Sequence, residues 1–335
     1  MIKMMRKTSK SLIKTLIPSA ILWRIHDLLI YKPQISNLGI NDHTTPLFQS
    51  VFFEVRTRCN GLCSFCAANI QDEIREDMSM PFELYAKVID ELEGIKYRGR
   101  IAYHVNNEPL LFKDLTNFVS YAREKLPNAW IQILSNGKSL GIKKGDELVT
   151  AGINELTINH YTDDLSAPLP KRLTEFKEKV LLNHFKPEQI GAGHRPTTGD
   201  DGVFRFNILP SRVDEVKNSR AGTAPNKNEP DKEHIQVVET TARGFCQYPF
   251  TQFNIRADGT VSMCCADLYF SIPMGNVTNQ SVMDIWNGPE FTKVRQSLLK
   301  GRRDAFDTCK NCDYYGVDHT AHQGSIKSLA YKITH

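Results

Sequence analysis

The sequence predicts an α/β protein: a parallel sheet, open or curled into a barrel, followed by a smaller α+β unit. Three features carry this reading. Strand-like and helix-like runs alternate from residue 51 to residue 209, a polar stretch with Pro225 and Pro230 then interrupts them, and a hairpin with two short helical runs comes after. Repeated βα units demand parallel strands, because a crossover helix returns the chain to the same end of the sheet.

Residues 51–57 read as a buried strand. Residues 81–94 read as a helix with Pro81 at its start and Gly94 at its end, the positions each residue favours. A strand at 100–106, a helix at 113–126 and a strand at 130–135 follow. Next come a short helix at 144–151, a strand at 155–159, a helix at 171–184 and a fifth strand at 203–209. Residues 186–202, rich in Gly, Pro and Asp, read as a mobile loop, and 218–233 as a connection. Beyond it, strands at 249–256 and 260–264 are joined by Ala257-Asp258-Gly259, a hairpin signal, and helices are expected at 281–287 and 290–300.

At 335 residues and 41% apolar, the chain can bury one large core and a small appended domain. The expected division is an N-terminal helical extension at 1–48, the βα unit at 49–217, a linker at 218–240 and the second unit at 241–335. The net charge of +4 arises from 42 basic and 38 acidic residues. No basic stretch is interleaved with aromatics, so nucleic acid is not an expected partner.

Lys3, Arg6, Lys7, Lys10 and Lys14 precede Leu16, Ile17, Ile21, Leu22, Ile25, Leu28 and Leu29, which share roughly one helical face. The uninterrupted apolar run Ala20 to Trp23 falls far short of the roughly 20 residues that span a bilayer. A helix capping the main domain is expected, with contact to an anionic lipid surface as the alternative, and Pro18 limits its length. No small-residue cleavage site marks a signal peptide. The eight cysteines therefore read as metal ligands in a reducing compartment, the cytoplasm, rather than as disulfides.

Cys59, Cys63 and Cys66 form a Cys-x3-Cys-x2-Cys loop directly after the first strand. Three thiolates can hold three irons of a cubane and leave the fourth open to a chelating small molecule. Zinc would normally take a fourth ligand nearby, and none is close in sequence. Farther on, Cys246, Cys264, Cys309 and Cys312 supply four thiolates, enough to saturate one cluster, with zinc as the alternative. Cys265 is left over. Adjacent strand residues point to opposite faces, so Cys264 and Cys265 are not expected to ligate the same cluster.

The front loop, its position after strand one and the βα series resemble the radical S-adenosylmethionine (SAM) superfamily. Phe65 matches the aromatic found before the third cysteine there. The rear cysteines, with Ile255-Arg256-Ala257-Asp258-Gly259, Gly275-Asn276-Val277 and Ile285-Trp286-Asn287, resemble a SPASM domain in its reduced, twitch form. The resemblance implies a partial (β/α)6 barrel, two [4Fe-4S] clusters, and SAM bound on the open iron. It also implies a flavodoxin- or ferredoxin-type electron donor.

Asn106-Asn107-Glu108-Pro109 stands where the family has Gly-Gly-Glu-Pro, which makes Glu108 the acceptor for the SAM ammonium; the plainer reading is a charge at a helix N-terminus. Ser135-Asn136-Gly137 is similar to a Thr-Asn-Gly that approaches the SAM ribose. Asn159, His160 and Tyr161 end strand four, where barrel enzymes place functional side chains. Arg220 resembles an arginine that faces the substrate hydroxyl or the SAM carboxylate, or else is a solvated loop residue. Cys265 is either a hydrogen-atom donor or a small buried hydrophobe.

Types with one auxiliary cluster include aminocyclitol dehydrogenases and sugar epimerases. The resemblance therefore implies oxidation or epimerisation at a hydroxyl-bearing carbon of a carbohydrate-like small molecule. A peptide-modifying maturase is the alternative, and a non-catalytic electron carrier or redox sensor is the alternative from another class.

Overall fold

The computed structural model describes residues 27–41, 45–63, 65–66, 68–69, 74–193, 201–213, 221, 244–310, 312 and 314. The expected basic and apolar helix before residue 27 and the connection at 222–233 lie outside them. Among the described residues no helix is long and apolar enough to cross a membrane.

One nine-stranded, unclosed sheet organises the chain. Its strands are β1 (Ser50–Phe53), β2 (Arg100–Ala102), β3 (Trp130–Ser135), β4 (Glu155–Thr162), β5 (Ile190–Gly191), β6 (Phe204–Arg212), β7 (Gln252–Ile255), β8 (Thr260–Ser262) and β9 (Pro273–Asn276). They lie in the order β5-β6-β4-β3-β2-β1-β7-β8-β9. Every pairing from β5 to β7 is parallel, and β8 and β9 add antiparallel strands. The α/β class is as the sequence predicts, and the first six strands form the partial barrel.

Alternation along β1 shows how the sheet is packed. Val51 and Phe53 face outward into the main core, whereas Phe52 joins an inner cluster with Ala102, Val105 and Phe270. Outside lie helices α1 (Lys32–Asn37), α2 (Phe82–Gly94), α3 (Leu115–Lys125), α4 (Ile142–Thr150) and α5 (Lys171–Phe176). The buried residues of α2 are Tyr85, Val88, Ile89 and Leu92, the spacing of a single helical stripe. Tyr85 stacks on Phe118 of α3 at 4.1 Å. Gly145 in α4 lets the Phe176 ring approach, since a Cβ there would sit 2.5 Å from it.

The rear unit is built into the same sheet. Strand β7 pairs with β1, and Lys87 of α2 donates to the carbonyls of Val277 and Gln280 at 2.8 and 3.0 Å. It contributes α6 (Tyr248–Thr251), α7 (Val282–Trp286), α8 (Pro289–Leu299) and α9 (Asp307–Lys310). The described part of the N-terminal extension also docks on the core, with Tyr31, Ile40 and Phe48 buried.

Several boundaries differ from expectation. The strand expected at 100–106 ends at Ala102, because Asn107 receives the Val105 N–H and donates to the Tyr103 carbonyl, turning the chain. The loop expected at 186–202 holds a 3-10 turn at Pro187–Gln189 and the two-residue β5. The helix expected at 171–184 passes through one π-turn at Lys177–Leu181. Strand β8 stops at Ser262, whose hydroxyl donates to the Cys264 carbonyl at 3.0 Å, so Cys264 and Cys265 lie beyond the strand.

The N-terminal ends of the strands are sealed by a buried polar layer. Glu155 accepts from Trp130 Nε1 (3.0 Å), Gln132 Nε2 (2.7 Å), Thr157 Oγ1 (2.8 Å) and Asn207 Nδ2 (3.3 Å). The C-terminal ends carry the cavity.

Candidate active site

At the C-terminal edge of the sheet lies a cavity of about 340 Å³, lined by Cys59, Cys63, Cys66, Glu108, Asn136 and Cys265 among others. That volume suits a small ligand. The cysteine loop is fastened by Asn69, which is 1% exposed and donates to the carbonyls of Cys63 (2.9 Å) and Cys66 (2.7 Å). Gly61 sits against two of the sulfurs: a Cβ there would lie 3.2 Å from Cys59 Sγ and 3.7 Å from Cys63 Sγ. Burial pushes the Cys59 thiol up to about 12, so any metal that takes its thiolate must displace a firmly held proton.

Glu108 links β2 to β3. Its Oε1 accepts from Ser135 Oγ (2.7 Å) and Leu110 N (3.0 Å), and its Oε2 accepts from Asn136 N (2.7 Å). Burial raises its pKa, and these three donors oppose the rise. It also caps the 3-10 turn Pro109–Leu111, as the plainer sequence reading anticipated. A carboxylate has about four acceptor sites, so one remains for a ligand. Ser135 and Asn136 are brought together with the cysteine loop: Asn136 Nδ2 donates to Asn60 Oδ1 at 2.9 Å and lies 3.8 Å from Cys59 Sγ.

Asn159 and Tyr161 also line this cavity, with Phe65 against Tyr161 at 5.4 Å between ring centroids. His160 faces a separate recess with Arg172, where burial and then the Arg172 charge lower its pKa. Arg220 lies outside the described residues. Sequence reasoning missed Asn69 and Asn106. Asn106 lines the cavity, is 1% exposed, and neither polar atom of its side chain has a hydrogen-bond partner among the described residues. Its signal was the departure from glycine at that position.

Behind this cavity Cys246, Cys264, Cys309 and Cys312 line a second, narrow one. Burial, then the neighbouring thiols of Cys265, Cys309, Cys312 and Cys246, raise Cys264 well above the ordinary thiol range. None of the eight cysteines forms a disulfide. Among the described residues no three His, Cys, Asp or Glu side chains close up as they would around a single metal ion. The three thiols of the front loop thus line one cavity, and four thiols line the other.

Residues 246–313 match the SPASM iron–sulfur cluster-binding domain. Fold and site together resemble those of radical SAM enzymes that carry a SPASM domain. The chain is homologous to the S-adenosyl-L-methionine-dependent 2-deoxy-scyllo-inosamine dehydrogenase of Niallia circulans, at 26% identity over 271 residues. The match covers 81% of this chain and 95% of that protein. The crystal structure of BtrN in complex with AdoMet and 2-DOIA superposes with a TM-score of 0.63 at 26% identity, covering 82% of this chain and 96% of the other. A tungsten-containing aldehyde ferredoxin oxidoreductase cofactor-modifying protein of Pyrococcus furiosus is 21% identical over 78% of this chain and 86% of its own length.

Proposed function

We propose that this protein is a radical SAM dehydrogenase that oxidises a hydroxyl-bearing carbon of a cyclitol or sugar to a ketone. The observation that carries the reading is the front cavity, with three thiols on one side and the unpartnered carboxamide of Asn106 in its wall. A buried amide without a partner is costly, and a polyhydroxylated ring supplies both the donor and the acceptor it lacks. The similarity to a dehydrogenase of 2-deoxy-scyllo-inosamine supports the same substrate class.

In this reading Cys59, Cys63 and Cys66 hold one [4Fe-4S] cluster, and Cys246, Cys264, Cys309 and Cys312 hold a second. When bound, SAM and the front cluster supply a 5′-deoxyadenosyl radical able to take hydrogen from carbon, and the rear cluster supplies a one-electron acceptor. Glu108 offers its free acceptor site to the SAM ammonium, while Ser135 and the Asn136 N–H fix its orientation. The carbinol carbon would lose a hydrogen atom to that radical and one electron to the rear acceptor, its hydroxyl proton would pass to solvent, and its C–O bond would become a carbonyl. Arg220, beyond the described residues, is assigned to the substrate hydroxyl. A flavodoxin- or ferredoxin-type protein supplies the reducing electron, and cysteines without disulfides suit the cytoplasm. The proposed division remains 1–48, 49–217, 218–240 and 241–335.

The position of Cys265 in the front cavity favours a second reading. A thiol there that returns hydrogen to the opposite face would make the enzyme an epimerase.

The test is anaerobic incubation of the reconstituted protein with SAM, dithionite and carbinol-deuterated cyclitols, sugars and peptides. Deuterium should reach 5′-deoxyadenosine from a cyclitol or sugar. Transfer from peptides alone would overturn the proposal.

A further inference from the structure

Among the described residues of the rear unit two arginines are buried, and their surroundings differ. Arg295, 5% exposed, lies over the rings of Trp286 (3.9 Å) and Phe291 (4.6 Å) and donates to the carbonyls of Pro249 and Trp286. Burial lowers its pKa to about 9. Arg303, 2% exposed, has no such aromatic cover among the described residues. It donates through Nη2 to the Phe245 carbonyl at 2.9 Å and through Nη1 to the Tyr314 carbonyl, and its buried Nε has no hydrogen-bond partner among the described residues. No carboxylate pairs with it among the described residues.

A buried cation without a counter-charge is strongly unfavourable. What Arg303 does face is the four-thiol cavity, which it lines beside Cys246, Cys264, Cys309 and Cys312. Its two carbonyl partners flank those cysteines in sequence: Phe245 precedes Cys246, and Tyr314 follows Cys312 by two residues. The guanidinium thus joins the first and last segments of the thiol set and holds its charge against it.

We propose that Arg303 sets the reduction potential of the rear cluster, its buried charge favouring the form that has gained an electron. This rests on the reading that the four rear thiols hold an iron–sulfur cluster. Any centre ligated by four thiolates is anionic and becomes more so on reduction, and potentials of such centres follow net charge and hydrogen bonding to sulfur. Arg303 is a positioning and tuning residue. It makes the rear site a better electron acceptor, which is what ketone formation requires of it.

The test uses the full chain with Cys59, Cys63 and Cys66 changed to Ala, so that only the rear cluster is loaded. R303Q and R303K are made in that background, and the midpoint potential is read by redox titration with electron paramagnetic resonance. In R303Q the reduced-to-oxidised ratio at a fixed potential should fall at least tenfold, about 59 mV for a one-electron couple. R303K, which keeps the charge, should stay within about threefold of the parent. An unchanged midpoint in R303Q with full iron content overturns the proposal and leaves the cluster reading intact. Should R303Q lose its iron, retention in R303K supports the charge requirement, and loss in both variants overturns it. Stoichiometric zinc in the parent would instead strike down the cluster reading itself, and the proposal with it.

Discussion

Cys264 and Cys265 are adjacent in the chain yet open onto different cavities, Cys264 onto the four-thiol site and Cys265 onto the front cavity with Cys59, Cys63 and Cys66. Strand alternation does not explain this, because β8 has already ended at Ser262; the turn beyond it separates the two side chains. The pair therefore sits between the two sites.

This geometry makes Cys265→Ser the variant that separates dehydrogenation from epimerisation. With an identified cyclitol substrate in deuterium oxide, the expected outcome is a ketone, formed by both the wild type and the serine variant. An inverted alcohol carrying one solvent deuterium, lost in Cys265→Ser, would instead make Cys265 the hydrogen donor.

Iron content tests the two thiol sets independently. Wild type should bind about eight irons, as two four-iron clusters. Changing Cys59, Cys63 and Cys66 together to Ala should halve this and abolish SAM cleavage. Cys309→Ala should lose the rear iron and leave slow SAM cleavage, because the front loop and its Asn69 clasp are untouched. Full SAM cleavage in the triple variant would end the assignment.

Asn106 should affect the substrate and leave SAM alone. Asn106→Ala removes a carboxamide that no other side chain or backbone group among the described residues engages, so the described fold loses no hydrogen bond. The expected result is a rise in substrate KM of about tenfold, the loss of one or two ligand hydrogen bonds at roughly 1 kcal/mol each. SAM affinity and substrate-free SAM cleavage should be unchanged. A fall in SAM affinity would assign the amide to SAM.

The βα series was legible because each strand and helix has its own period and length. Strand β5 has two residues within a Gly- and Pro-rich run, too short for any pattern, and only its pairing with Phe204 and Arg205 makes it a strand. Strand β9 begins at Pro273 and includes Gly275 at φ +152°, so its sequence reads as a turn. At the front site the cysteine spacing exposed the metal chemistry, but not the Asn69 clasp or the network around Glu108, whose partners lie 27 and 28 residues away. Nor does composition distinguish Arg303, buried against the rear thiols, from a solvated arginine.

Glu108 also gives the fold a pH dependence of definite sign. Burial raises its folded-state pKa above the ordinary value of 4.5, and the hydrogen bonds from Ser135, Asn136 and Leu110 only partly offset this. In the window between the two values the folded protein holds a proton that the unfolded chain has released. This contribution to stability is therefore present in full below 4.5 and is lost as the pH rises through the folded-state value. Glu108→Gln has no such titration. Urea unfolding of the metal-free protein across that window should show a decline with rising pH in the wild type that is flatter in Glu108→Gln. At neutral pH, Glu108→Ala should cost about 1–3 kcal/mol, because it leaves buried donors on Ser135, Asn136 and Leu110 without an acceptor. A wild-type profile that rises with pH as steeply as that of the glutamine variant would mean that the three donors outweigh burial, and that Glu108 is held ionised in the fold.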